Sequence, residues 1–214
     1  MNILLVAATQ AEIEPFLLHH GFLQFPVLGK NIGDYQLSVL ITGVGMVATA
    51  FALGNLLNSK SFDLAVNVGI AGSFDPAILP GDLCRVSEDI LAEFGAEDGK
   101  AFLKAETIGL GKSQFSASPI AGFRVYDQLQ EVKSVTVNKV HGNEESITEF
   151  VNRFNPQIET MEGASFFYAC EQAGIPGIQI RSISNIVERR NKENWQIGLA
   201  IKNLNDTLIQ LFNS

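Results

Sequence analysis

Two carboxylates stand beside a thioether at the start of an apolar stretch. Glu159 and Glu162 flank Met161, and the residues from Ala164 to Ala173 have the composition of a buried helix. A carboxylate at such a boundary costs free energy unless it has a partner or binds a ligand. The alternative is that both acids lie in the first helical turn, where they interact favourably with the helix dipole. The stretch alone leaves both interpretations open.

Polar residues also follow two predicted strands. The apolar run Asn2 to Ala7 is typical of a strand buried on both faces of a sheet. Ala8 is small enough to let a ligand approach the end of that strand, and Glu12 lies in the first turn of the helix that follows. Ser184 and Asn185 come after a later apolar strand. Ligands of open α/β sheets bind at this edge, so we expect these side chains to meet there. The alternatives are a surface acid at Glu12 and a simple turn at Asn185.

Small residues follow strands at two further places. Thr42 to Gly45 forms a Gly-x-Gly sequence between a strand and an alanine-rich helix, an arrangement whose N–H groups bind anions. It lacks the third glycine of a dinucleotide fingerprint and the lysine of a phosphate loop, so a plain tight turn is the alternative. Ala71 and Gly72 follow a third buried strand and indicate that another group packs close to the backbone.

Composition limits the classes of protein. The chain has 214 residues, 46% of them hydrophobic, which indicates a single globular domain spanning residues 1–214. A formal net charge of −8 without a dense basic cluster argues against a nucleic-acid partner. Cys84 and Cys170 follow no metal-ligand spacing and are expected to be free thiols. No segment approaches the roughly 20 apolar residues of a membrane span, so we expect a soluble, cytoplasmic protein with no membrane partner.

Strands alternate with helices along the chain, which predicts an α/β fold with a largely parallel central sheet. Gly21 to Asp34 is expected to be irregular, and Ser134 to Val140 alternates like a strand. A final amphipathic helix is expected to begin near a cap at Asn191 and to reach Phe212. His141 is either a functional base or, more simply, a structural histidine.

Taken in chain order, these motifs resemble those of the nucleoside phosphorylase and nucleosidase superfamily, and the resemblance covers nearly the whole chain. The segments that carry the likeness are Glu12, Thr42 to Gly45, Gly69 to Gly72, Met161-Glu162 and Ser184-Asn185. The resemblance implies an α/β, three-layer phosphorylase-like domain with a central mixed, largely parallel sheet flanked by helices. It also implies an enzyme that acts on a small-molecule purine nucleoside, needs no cofactor or metal, and assembles as a homo-oligomer, a dimer or larger.

Within the superfamily the chain most resembles the futalosine hydrolase family, which belongs to the alternative menaquinone route. The supporting segments are Gly69 to Phe74, Gly81 to Leu83, Phe94 to Asp98, Val140 to Glu144, Glu159 to Ala164, and Ser184-Asn185 with Arg190 and Trp195. Each segment alone is a weak indication, and their joint order is a strong one. The likeness implies hydrolysis of futalosine to hypoxanthine and dehypoxanthine futalosine.

The resemblance also implies roles for individual residues. Cleavage of an N-ribosidic bond makes the sugar cation-like while negative charge builds on the purine. Glu162 would bind the ribose hydroxyls beneath that cation, and Glu12 would activate water as general base. The implied catalytic residues are Glu12, Glu162 and Asn185, and the implied substrate-binding residues are Ala8, Gly45, Ala71, Gly72, Met161, Arg181 and Ser184.

Asn185 separates the possible substrates. Nucleosidases that release adenine from methylthioadenosine carry an aspartic acid here, which protonates purine N7. An amide cannot deliver that proton, but it can hydrogen-bond N7 and the 6-oxo group of hypoxanthine. This disfavours a methylthioadenosine or S-adenosylhomocysteine nucleosidase. The glycine-rich loops have no basic residue to bind phosphate, which disfavours a purine nucleoside phosphorylase. A non-catalytic nucleoside-binding protein is disfavoured by the presence of Glu12 and Glu162.

Overall fold

The computed structural model describes residues 1–22 and 27–213, and over these ranges the chain forms eleven strands and six α-helices. The strands are β1 (Asn2–Ala7), β2 (Val27–Ile32), β3 (Tyr35–Ile41), β4 (Leu64–Ser73), β5 (Leu83–Leu91), β6 (Gly95–Asp98), β7 (Ala101–Lys104), β8 (Gln114–Ser116), β9 (Gln130–Thr136), β10 (Ile158–Thr160) and β11 (Gly177–Ile186). The helices are α1 (Gln10–His19), α2 (Met46–Leu57), α3 (Arg124–Asp127), α4 (Glu144–Phe154), α5 (Gly163–Ala173) and α6 (Ile197–Asn213).

One mixed sheet contains most of the strands. Its order is β10-β9-β5-β11-β4-β1-β3-β2, and β8 adds to β5. Strand β10 also pairs with β4, so that β10, β9, β5, β11 and β4 close into a small barrel. The predicted α/β fold with a mixed sheet and helices is confirmed. The predicted division into three layers is less clear, because the sheet curls on itself instead of lying flat between helices.

Strand β1 shows why its sequence is apolar throughout. Ile3 and Leu5 belong to the core shared with α1 and α6, whereas Leu4 and Val6 belong to the core shared with α2 and α5. Successive side chains of a strand point to opposite faces, so a strand covered on both faces needs apolar residues at every position. No helix in the described part of the chain is long and apolar enough to cross a membrane.

Three predicted elements need correction. Part of the supposedly irregular segment Gly21 to Asp34 is strand β2, which pairs antiparallel with β3, while residues 23–26 lie outside the described ranges. The strand predicted at Ser134 to Val140 begins earlier, because its parallel pairing with β5 starts at Gln130 and ends at Thr136. Asn191 caps only a short 3₁₀ turn, and α6 begins later, at Ile197.

Helix α4 and strand β10 are among the elements that were not predicted from the sequence. Helix α4 begins after Asn143, whose side chain accepts a hydrogen bond from the Ser146 N–H at 3.1 Å. Strand β10 has three residues and pairs with β9 and β4. A strand this short has too few residues for its period to be recognised, and its existence depends on partners distant in sequence.

Gly163, the first residue of α5, packs closely against the side chains of Asp89 and Gln179. A Cβ atom added here would overlap the Asp89 carboxylate and lie 2.5 Å from Gln179 Oε1. We therefore expect Gly163→Ala to lower the free energy of unfolding by about 3 kcal/mol, since overpacking a filled interior forces its neighbours to move. Urea unfolding measures this. The control is Gly198→Ala in α6, where nothing lies within 4 Å of the added atom. Equal stabilities of the two variants would contradict the expectation.

Candidate active site

A cavity of about 270 Å³ opens at the carboxyl ends of β1, β4 and β11. Eight of the ten residues predicted to bind or act on a substrate line it, namely Ala8, Glu12, Ala71, Gly72, Met161, Glu162, Ser184 and Asn185. They meet because neighbouring parallel strands end at the same edge of a sheet. The other two, Gly45 and Arg181, lie behind the lining and interact with its carboxylates.

Glu12 is held from two directions. Its Oε2 accepts hydrogen bonds from the backbone N–H and the hydroxyl of Thr9, both at 2.9 Å, and its Oε1 accepts one from the Ile70 N–H at 3.2 Å. The bonds to Thr9 are local, because Glu12 is the third residue of α1 and reaches back to the residue before the helix. The bond to Ile70 ties α1 to β4. Glu12 is therefore not a free surface acid, and its carboxylate faces the cavity.

Helix α6 fixes the same turn of α1. The buried side chain of Asn205 accepts a hydrogen bond from the Phe16 N–H and donates one to the Glu12 carbonyl oxygen, both at 2.9 Å. In an uninterrupted helix these two backbone groups would bond to each other. Pro15 lies between them in the chain and, having no N–H, makes no helical bond to the carbonyl of residue 11. The amide from α6 bonds both backbone groups and thus fixes the position of the Glu12 backbone.

Glu162 directly precedes α5 and is 7% exposed. Its Oε1 accepts a hydrogen bond from the Gly45 N–H at 2.9 Å. The Gly-x-Gly turn therefore does bind an anion, and that anion is a side chain of the protein itself. Gly45 has a φ of 94°, a conformation that strongly favours glycine. Burial raises the pKa of Glu162 above its ordinary value, while the positive charge of Arg181 and the Gly45 N–H act in the opposite direction.

Arg181 lies beneath the cavity and is almost fully buried. Its Nη2 donates to Asn67 Oδ1 at 2.6 Å and to Gln179 Oε1 at 3.1 Å. Because Gly69 has no side chain, both Arg181 and Glu12 approach its Cα, and an added Cβ would lie 2.5 Å from Arg181 Nη1 and 2.7 Å from Glu12 Oε1. Arg181 therefore places a positive charge behind the carboxylates without lining the cavity.

The polar network below the site continues to Asp89, which is fully buried. Gln179 Nε2 donates to Asp89 Oδ2 at 3.2 Å, and Thr136 Oγ1 donates to Oδ1 at 2.8 Å. Burial raises the pKa of Asp89 to about 6, although these hydrogen bonds and the charge of Arg181 lower it. Asp89 therefore titrates near neutral pH although it does not line the cavity.

This raised pKa makes stability depend on pH. The contribution of Asp89 to stability is fully present below its ordinary pKa of 3.8 and is lost as the pH rises through about 6. Relative to Asp89→Asn, the wild-type protein should lose about 2 kcal/mol of unfolding free energy between about pH 4.5 and pH 7.5. Urea unfolding across this range measures the difference, with the exposed Asp98→Asn as control. Parallel pH curves for the wild type and Asp89→Asn would rule out a raised pKa.

Asn185 is oriented by its neighbours in the chain. Ser184 Oγ lies 2.8 Å from Asn185 Oδ1 and 3.1 Å from the Ala71 carbonyl oxygen, and it donates to one of them. Asn185 Nδ2 donates to the Ile186 carbonyl oxygen at 3.0 Å. An amide nitrogen carries two hydrogens, so one donor remains for a ligand in the cavity.

Half of the lining was not predicted from the sequence, namely Thr9, Val44, Ile70, Val140, His141, Glu159, Thr160 and Trp195. The most consequential pair is Glu159 and His141, because His141 Nδ1 lies 2.6 Å from Glu159 Oε2 with both side chains buried. Glu159 belongs to β10 and not to the first turn of α5, so the helix-dipole interpretation of this acid is wrong. A signal was present, since both residues lie in segments that resemble the futalosine hydrolase family.

The cavity has a strongly one-sided set of charges. Its acidic residues are Glu12, Glu159 and Glu162, and no lysine or arginine is found among the described residues that line it. Across residues 1–22 and 27–213, no three His, Cys, Asp or Glu side chains group as metal ligands would. Such a site favours a ligand that is neutral or develops positive charge, and it disfavours an anion.

Fold and site together define an enzyme that handles a small ligand at the carboxyl edge of its sheet. The family model described as the phosphorylase superfamily matches residues 2–212, and the chain belongs to this superfamily of enzymes.

Relatives support a nucleosidase branch of the superfamily. The chain is 28% identical to the futalosine hydrolase of Thermus thermophilus, covering 94% of this chain and 91% of the relative. It is 25% identical to the 5′-methylthioadenosine/S-adenosylhomocysteine nucleosidase of Pseudoalteromonas translucida, covering 97% and 94%. The structure of Helicobacter pylori futalosine hydrolase matches with a TM-score of 0.81 at 17% identity, covering 99% of this chain and 97% of that one. At that identity the structural likeness shows the fold alone.

Proposed function

We propose that this enzyme hydrolyses the N-ribosidic bond of futalosine and releases hypoxanthine and dehypoxanthine futalosine, a reaction of menaquinone biosynthesis. The observation that carries the proposal is the cavity with three carboxylates and no lining lysine or arginine in the part of the chain that the structure describes. Carboxylates stabilise a sugar that becomes cation-like in the transition state. The same charges repel inorganic phosphate, which needs cationic partners, so water is the nucleophile. Three relatives that are named futalosine hydrolase support this choice of substrate.

Glu162 and Met161 act on the sugar. The Glu162 carboxylate binds the ribose hydroxyls and lies beneath the ring where positive charge develops. The Gly45 N–H fixes one of its oxygens at 2.9 Å, so the group is oriented before the substrate arrives. Met161 lies against the sugar and excludes bulk water from that face.

Glu12 activates the attacking water. An ionised carboxylate has about four lone-pair positions, and three are used by the bonds from Thr9 and Ile70. The remaining position faces the cavity and accepts a hydrogen bond from water. Removal of a proton from that water as the glycosidic bond breaks is general base catalysis.

Asn185 stabilises the departing purine. Its free N–H donates to N7 or to the 6-oxo group, where negative charge develops as the bond breaks. Because an amide delivers no proton, the site suits a 6-oxopurine better than adenine, which departs more readily when N7 is protonated. The related methylthioadenosine nucleosidase activity is the second candidate, and its support is the likeness to the relatives of that name.

The far end of futalosine carries a benzoate group. Trp195 lines the cavity, and the Arg190 guanidinium lies 5.1 Å from the centre of its ring. An aromatic ring beside an exposed cation suits a benzoate, so we place that end of the substrate near Trp195. The cytoplasmic location and the homo-oligomer implied by the family remain predictions.

Base release tests the proposed reaction. The protein is incubated with futalosine, inosine or methylthioadenosine in phosphate-free buffer, and the free base is measured by chromatography. We expect hypoxanthine from futalosine, because water reacts without phosphate and the 5′ substituent contributes binding energy. Release that requires added phosphate would make the enzyme a phosphorylase. Adenine from methylthioadenosine, with futalosine left intact, would make it the related nucleosidase.

Glu162→Gln tests the role of the charge beneath the sugar. The substitution keeps the shape and removes the negative charge, so kcat should fall about 100-fold or more while KM changes little. Steady-state kinetics on futalosine measure both constants. Glu145→Gln, an exposed change on α4, is the matched control and should leave both unchanged. A kcat near that of the wild type would exclude the assigned role.

A further inference from the structure

Three residues form a row across neighbouring strands of the barrel. Gly72 in β4 is the register partner of Glu159 in β10 on one side and of Asn185 in β11 on the other. Side chains of directly paired residues lie on the same face of a sheet. The positions agree, since a Cβ on Gly72 would lie 3.4 Å from Asn185 Nδ2 and 3.5 Å from Glu159 Cγ. All three residues line the cavity.

The middle of this row has no side chain, because it is a glycine. An added Cβ on Gly72 would also lie only 2.9 Å from Val187 Cγ2, so the position admits glycine alone without a shift of its neighbours. Adjacent strands are about 4.8 Å apart, which separates the backbones of the two outer residues by about 10 Å. A planar heterocycle bound between these two side chains would have a carboxylate at one edge and an amide at the other.

Glu159 is held in place by His141. The backbone N–H of His141 donates to Glu159 Oε1 at 3.1 Å, and the ring Nδ1 lies 2.6 Å from Oε2. An ionised carboxylate only accepts hydrogen bonds, so the ring nitrogen is the donor. The ring itself is fixed by Phe150, whose centre is 4.2 Å away. The backbone N–H of His141 also lies 3.4 Å from Oε2, so Oε1 is the oxygen that keeps a free lone pair, and Glu159 lines the cavity.

We infer that Glu159, oriented by His141, accepts a hydrogen bond from N1–H of the purine and thereby selects a 6-oxopurine over a 6-aminopurine. This inference rests on the proposed function, in which Asn185 binds the N7 and 6-oxo edge of the base. If Asn185 lies at that edge, the opposite end of the row faces N1. His141 is a positioning residue in this arrangement, because it acts through Glu159.

The two base classes differ at the atom that Glu159 faces. A 6-oxopurine carries a hydrogen on N1, whereas a 6-aminopurine has a lone pair there. A carboxylate that accepts from N1–H would be repelled by that lone pair and would make no hydrogen bond to N1. A site built to hydrogen-bond one polar group strongly rejects the analogue that lacks it. Glu159 would therefore add to the preference set by Asn185 and separate futalosine from its 6-amino analogue.

The test compares kcat/KM for futalosine and 6-amino-6-deoxyfutalosine. The wild type should favour the 6-oxo substrate by about 100-fold or more. Glu159→Gln should reduce that ratio by at least about 10-fold, since an amide can also donate to the lone pair on N1. Glu145→Gln should leave the ratio unchanged. A ratio in Glu159→Gln within twofold of the wild-type ratio, or a wild type that prefers the 6-amino substrate, would overturn the inference.

A second variant and a binding measurement guard against misfolding and against failure of the proposed reaction. His141→Gln should also lower the ratio of kcat/KM for futalosine to that for the 6-amino analogue, by at least about threefold. This variant replaces Glu159→Gln as the test if thermal melting shows that Glu159→Gln is unfolded. Calorimetry with free hypoxanthine and free adenine needs no catalysis. If neither nucleoside is cleaved, the proposed function fails. Tighter binding of hypoxanthine than of adenine, lost in Glu159→Gln, would still support a hydrogen bond from N1–H to Glu159. Tighter binding of adenine, or no binding of hypoxanthine, would overturn it.

Discussion

The charge on Glu162 is the constraint on which the site depends. A buried carboxylate is costly unless hydrogen bonds and an opposite charge compensate for the lost water. The Gly45 N–H supplies the hydrogen bond and Arg181 supplies the charge. Arg181 is itself buried, so it needs Asn67 and Gln179 as acceptors. One buried carboxylate is therefore connected to a chain of polar groups that runs down through the barrel.

Strand β4 supplies the floor of the cavity, and its missing side chains matter as much as those present. The absence of a side chain at Gly69 lets Arg181 and Glu12 approach the backbone, and its absence at Gly72 lets Glu159 and Asn185 approach the backbone from both sides. The closure of the barrel through the pairing of β10 with β4 brings Glu159 to this floor. In an open sheet, without that pairing, this carboxylate would not reach the cavity.

Sequence reasoning located residues at the carboxyl ends of buried strands, although Ser184 and Asn185, expected after their strand, lie in its last residues. Ala8, Glu12, Ser184 and Asn185 were found this way, because the strand ends are marked by a change from apolar to small or polar residues. Gly45 was expected at the substrate, but its N–H binds Glu162. Placement of Glu159 in the first turn of a helix was left open as an alternative, since nothing in three residues of strand reveals a period. The role of His141 becomes visible only through its hydrogen bond to Glu159, from which helix α4 separates it in the chain.

The sequence by itself determined the alternation of strands and helices, the edge where polar groups gather and the acidic character of the site. These properties follow from local hydrophobic patterns and from residue types, which need no knowledge of distant neighbours. Tertiary structure alone decided that the sheet closes into a barrel, that the glycine turn holds Glu162, and that Glu159 and Asn185 face each other across Gly72. Each of these depends on pairing between segments far apart in the chain, and the free energy of such pairing comes from burial and register that no local pattern encodes.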